Sequence, residues 1–159
     1  MLRRRSKCDV GAGAGTRDDV ARFCNDVPPC TTELMMKKTV LAIGIDPSLV
    51  DYSAFPGLTA ELVRSFIDTQ IVKLRLEGYD VESCLIDFGE TAERVAKAAL
   101  ASRPFDCVVI GAGLREPPER LLLFEKILNL VHVHAPHAAI CFNTTPADTV
   151  EAVRRWVKP

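Results

Sequence analysis

Three observations predict an α/β fold in which a four-stranded parallel sheet carries helices on both faces, a three-layer sandwich. From residue 37 onward, short apolar runs alternate four times with longer segments of helical period. The apolar runs are continuous rather than alternating, as expected for strands buried on both sides. The helical segments are bounded by caps, stops and prolines in the right places. Strand–helix alternation of this kind builds parallel crossovers.

Residues 39–45 (TVLAIGI) form the first strand, rich in β-branched side chains. Residues 59–77 form a helix: Thr59 caps it, Glu61 lies in its first turn, and Leu62, Val63, Phe66, Ile67, Ile71 and Leu74 form an apolar face. Gly78 stops it. Residues 81–87 (VESCLID) are the second strand, and 91–102 an alanine-rich helix ended by Arg103-Pro104. Residues 106–112 (DCVVIGA) are the third strand. A helix over 117–133 opens on Pro117. Residues 138–143 (AAICFN) are the fourth strand. Thr145, Pro146 and Asp148 then combine an N-cap, a first-position proline and a third-position carboxylate. The last helix runs to about Val157, with Val150, Val153 and Trp156 or Val157 facing inward. Right-handed crossovers make the order 2-1-3-4 the most economical, a flavodoxin-like sheet without a fifth strand.

The chain has 159 residues, 48% hydrophobic and 26% charged, so it can bury a core. Its net charge of −1 argues against a protein that coats nucleic acid or a membrane surface. No apolar run has the length of a membrane span. Residues 1–35 contain GAGAG (11–15), Pro28-Pro29 and scattered charge without a sustained period, so they are expected to be an unordered extension. The folded domain is then 36–159, with Met36 as an alternative start; the Arg3–Lys7 run can also be read as a basic anchor. No apolar segment follows Arg3–Arg5 and acidic residues are scattered behind, so neither a secretory nor a mitochondrial leader is expected. Of the six cysteines, Cys84, Cys107 and Cys141 sit inside strands as small core hydrophobes. Cys8, Cys24 and Cys30 lie in the extension and show no zinc-ligand spacing. A reducing cytoplasm follows.

In open parallel sheets ligands bind beyond the carboxyl ends of the strands, where the strand order reverses. Here that point lies between strands 1 and 3. The residues placed there are Asp46 and Ser48, Asp87, Gly111, Gly113 and Arg115, and Asn143 and Thr144. Asp46 and Asp87 can hold a cation or simply cap their loops. Gly111, Gly113 and Arg115 can admit a small anionic ligand or make a tight turn, with Glu116 and Glu119 opposing an anion. The long loop 46–58 carries Tyr52, Phe55 and Pro56 and is either a lid or a plug. His132, His134 and His137 complement a helix C-terminus or, if that helix frays, converge on a metal. On 117–133, Leu121, Leu123, Phe124, Ile127, Leu128, Leu130 and Val131 cover half the circumference. Either neighbouring helices bury that breadth, or it is a homodimer contact together with the edge strand AAICFNTT.

Walker, flavodoxin and dinucleotide phosphate loops are missing, as is a nucleophile elbow. The layout is similar to a response-regulator receiver, but Gly111-Ala112-Gly113 stands where a receiver has its phosphoacceptor aspartate. It is similar also to cobalamin-binding domains, but Ser48 stands where those carry the cobalt-ligating histidine. With KKTVLAIGIDP, FPGLTAE and DCVVIGAG, residues 37–157 resemble small bacterial flavodoxin-like, receiver-like α/β proteins. That resemblance implies the fold and no particular activity. The expected function is a non-catalytic small-ligand-binding or signalling module that dimerises. The alternatives are a small enzyme on a phosphorylated or carboxylated metabolite, with Asp46 or Asp87 as base, and a partner subunit docking through 117–133.

Overall fold

β1 (Thr39–Ile45) lies inside the sheet between β2 (Asp80–Ile86) and β3 (Cys107–Ile110), and β4 (Ala139–Phe142) lies beyond β3. All pairings are parallel and the order is β2-β1-β3-β4. This computed structural model describes residues 36–159. The expected N-terminal extension, its basic run and Cys8, Cys24 and Cys30 lie outside the described residues.

Register decides which side chains share a face. Ala42 stands between Ser83 and Val109, and Gly44 beside Leu85. Successive residues point to opposite faces. Leu41, Ile43, Ile45, Cys84, Ile86, Val108 and Ile110 therefore pack on one side. They meet α2 (Ala92–Ser102) and α4 (Leu121–His134) through Ala92, Ala96, Leu100, Leu123, Ile127 and Val131. On the other side Val40, Val81, Cys107, Val109 and Cys141 meet α1 (Ala60–Leu76) and α5 (Thr149–Arg154).

The capping residues read from the sequence act as expected. Thr59 Oγ1 accepts the Leu62 N–H at 3.2 Å. At the far end Gly78 adopts φ 100°, its N–H bonds to Arg75 C=O, and the Tyr79 N–H bonds to Leu74 C=O. That is a Schellman stop, with Leu74 and Tyr79 both buried beside it. Thr145 and Asp148 form a reciprocal capping box.

Three expectations need correction. The helix expected over 117–133 begins only at Leu121. Pro118 excludes helical ψ at Pro117, which sits at ψ 124°, and a 3-10 turn, Pro118–Arg120, intervenes. The third strand ends at Ile110, and Ala112–Arg115 coil into a short helix, α3. The last helix ends at Arg154, so Trp156 is 66% exposed and Val157 takes the inner position.

Most of the broad apolar face of α4 is covered within the fold, with Leu121 left 57% exposed. Phe124, Leu128 and Leu130 pack on the core that α4 shares with α2. The β4 edge is occupied too: Arg155 donates to Phe142 C=O (2.6 Å) and Arg115 to Asn143 C=O (3.2 Å). Guanidinium groups on an edge oppose pairing with another strand. Among the described residues no helix is long and apolar enough to cross a membrane.

Candidate functional site

The polar residues expected at the strand ends mostly satisfy their own loops. Asp46 caps a 3-10 turn and accepts the Ser48 N–H (3.0 Å) and hydroxyl (2.9 Å). Those two bonds hold its carboxyl below the usual carboxylate range. Both donors of Ser48 are thereby engaged. Asp87 accepts from Gly89 N–H (3.1 Å), Thr91 N–H (3.1 Å) and Thr91 Oγ1 (2.9 Å). The Gly89 bond does most to lower its pKa. Thr144 donates through N–H and hydroxyl to Asp148. Arg115 donates to Glu116 (2.7 Å) and Asn143 C=O, and lies 5.8 Å over the Phe142 ring.

Asn143 is buried and joins three elements. Its Oδ1 accepts the Ala112 N–H (2.8 Å) and its Nδ2 donates to Thr149 Oγ1 (2.9 Å). Gly111 permits β1 and β3 to close: a Cβ there would stand 3.4 Å from Ile43 O. Gly113 carries no such constraint, since nothing lies within 4 Å of where its Cβ would be. His132 and His134 lie in the last turn of α4, and no group of three or more His, Cys, Asp or Glu suited to a metal occurs among the described residues.

What these elements border is a large, mostly apolar groove of about 970 Å³, open to solvent, between the N-terminal half of α1 and the sheet. Its floor combines the small residues Ala42, Gly44 and Ser83 with Leu85 and Val109 on the same face of the sheet. Its roof is Val63, Phe66 and Ile67 of α1. Phe66 is 40% exposed at its edge. The groove falls within the roughly 300–1,000 Å³ usual for small-molecule sites. Gly111, Gly113 and Asn143 line it; Asp46, Ser48, Asp87, Arg115 and Thr144 do not.

The loop 46–58 supplies a further wall through Pro47, Val50, Tyr52, Phe55 and Leu58. The backbone bonds within it are local, such as Phe55 N–H to Tyr52 C=O, and Tyr52 OH donates to Pro47 C=O. It is held to the rest by the Asp46 N–H on Ile86 C=O (3.0 Å), the Arg64–Asp46 ion pair (3.5 Å) and Val50 packed on the core.

Sequence reasoning passed over this groove, although a signal was present. The β1 residues on that face shrink along the strand, Val40 to Ala42 to Gly44, and Ser83 breaks the apolar run of β2. Compared with known proteins, the chain matches no family model, no curated protein and no solved structure.

Proposed function

We propose that the protein is a non-catalytic binding module for a small, largely apolar molecule held between α1 and the sheet. The observation that carries this reading is the groove of about 970 Å³ over Ala42, Gly44 and Ser83. Such a volume under a helix exposes apolar carbon that a bound molecule would cover. The enzyme alternative is weaker. Both candidate bases, Asp46 and Asp87, accept N–H groups of their own loops and are poor proton acceptors near neutrality. Docking of a partner on α4 is weaker as well, since Leu123, Ile127 and Val131 are buried inside and only Leu121, Leu122 and Val133 remain exposed on it. Three buried thiols, Cys84, Cys107 and Cys141, suit a reducing compartment.

The test is Nile red, a neutral apolar dye that brightens when it leaves water. The native protein should bind it saturably. Ser83→Phe and Ala42→Leu, which fill the floor, should each weaken binding several-fold while the melting temperature holds or rises. Absence of saturable binding to the native protein would sink the reading. So would binding unchanged in both variants.

A further inference from the structure

We propose that Cys107 and Cys141 are a modification site, a buried dithiol that hydrogen peroxide oxidises to a reversible disulfide. The two thiols stand on neighbouring strands, β3 and β4, on the α1–α5 face. Cys107 pairs with Ala139 and Val109 with Cys141, so the thiols lie two register positions apart and point to the same side. Their sulfurs are in contact at 3.5 Å, and both side chains are fully buried. A disulfide holds its sulfurs about 2.05 Å apart, so the remaining approach is about 1.5 Å. β4 can supply that movement, because it is a four-residue edge strand paired only with β3. Cys84 packs on the opposite face and does not compete.

The hydrogen bond within the pair sets the order of events. The Cys107 thiol donates to Cys141 and holds that thiol below its ordinary range, and the Arg155 guanidinium adds to the effect. The same bond pushes the Cys107 thiol up. Cys141 is therefore the attacking sulfur. As a thiolate it takes one peroxide oxygen: the O–O bond breaks, hydroxide leaves, and Cys141 becomes a sulfenic acid. The Cys107 sulfur then attacks the Cys141 sulfur. Its proton departs with the displaced hydroxyl as water, and the S–S bond closes. Two thiols and one peroxide give one disulfide and two waters. Burial shuts out bulky reagents, but hydrogen peroxide is little larger than water and enters when the edge strand opens locally.

The experiment treats the whole folded chain with hydrogen peroxide, alkylates the remaining thiols in denaturant and maps a tryptic digest by mass. Trypsin leaves Cys107 in residues 98–115, Cys141 in 127–154 and Cys84 in 76–94. The first two peptides should appear joined, lighter by two hydrogens than their sum, with Cys84 still alkylated. Dithiothreitol should separate them again. Cys107→Ala and Cys141→Ala should each abolish the joined peptide. Peroxide treatment in urea should remove the preference for this pair among the six cysteines. Absence of the joined peptide from the folded protein, or its forming as readily in urea, overturns the proposal.

Discussion

The two faces of the sheet are built from the same four strands, yet one is filled throughout and the other opens into a groove beneath the start of α1. On the α2–α4 face, Leu41, Ile43 and Ile45 of β1 are large along the whole strand, and the core is continuous from Leu100 to Leu123. On the α1–α5 face, Val40, Val81, Ile71, Leu74 and Tyr79 fill the half nearest the strand N-termini, and Val109, Cys141, Val150 and Val153 continue the core under α5. Under the N-terminal half of α1, Ala42, Gly44 and Ser83 line an open groove instead. The difference lies in alternate residues of one strand. A single β-strand can therefore specify close packing on one side and an open groove on the other, because its side-chain period is two.

Four measurements would break or sharpen this contrast. Leu41→Ala, on the filled face and fully buried, should destabilise by about 3 kcal/mol in urea unfolding, as a cavity opens where none existed. A loss below about 1 kcal/mol would mean that face is loosely packed as well. Enlargement should then separate the faces in the opposite sense. Ala96→Leu, at a fully buried α2 position, should cost about 1–3 kcal/mol by overpacking, whereas Ser83→Leu should cost nothing measurable. Equal costs would remove the distinction.

A smaller effect concerns the filled half of the α1 face. Tyr79 is buried and its hydroxyl donates to Val157 C=O at 2.7 Å, so Tyr79→Phe should cost about 1 kcal/mol and loosen the C-terminal segment. Hydrogen exchange at the C-terminus would report it.

The smallest expected effect is acid sensitivity at the sheet's opposite end. Burial raises the Asp106 carboxyl, but the Thr39 N–H (2.8 Å) and hydroxyl (2.9 Å) and the Lys38 ammonium (2.9 Å) outweigh it and hold the group below its ordinary value. A carboxyl lowered in the folded state adds stability above its unfolded pKa, and that stability is lost as pH falls through the folded value. Stability should therefore be level near neutrality and decline below about pH 4. Thr39→Val should flatten that decline; an unchanged acid limb would show Asp106 contributes nothing to it.

Much of the architecture was legible before any coordinates. β1 was read with its observed limits, Thr59 and Gly78 marked the ends of α1, and the order 2-1-3-4 followed from crossover handedness. These are local or near-local properties: side-chain period, caps and stops. The misreadings have local causes too. Two adjacent prolines delayed α4 to Leu121, and the early end of α5 at Arg154 put Trp156 outside. The strand-end loops were located correctly, but the use of their polar groups was not legible. Whether Asp87 faces a ligand or the N–H of Gly89 depends on a turn geometry that composition does not state.

Alone, the sequence determined which segments are strands and helices, that the sheet is parallel, and that its loops converge at the strand C-termini, because each follows from periodicity and capping within a few residues. Only the tertiary structure decided that Arg115 lies on the Phe142 ring rather than over a pocket, that α2 covers α4, and that Ala42, Gly44 and Ser83 come together beneath Phe66. Those outcomes depend on register between strands far apart in the chain, which places Ala42 beside Ser83 and Gly44 beside Leu85 under the start of α1.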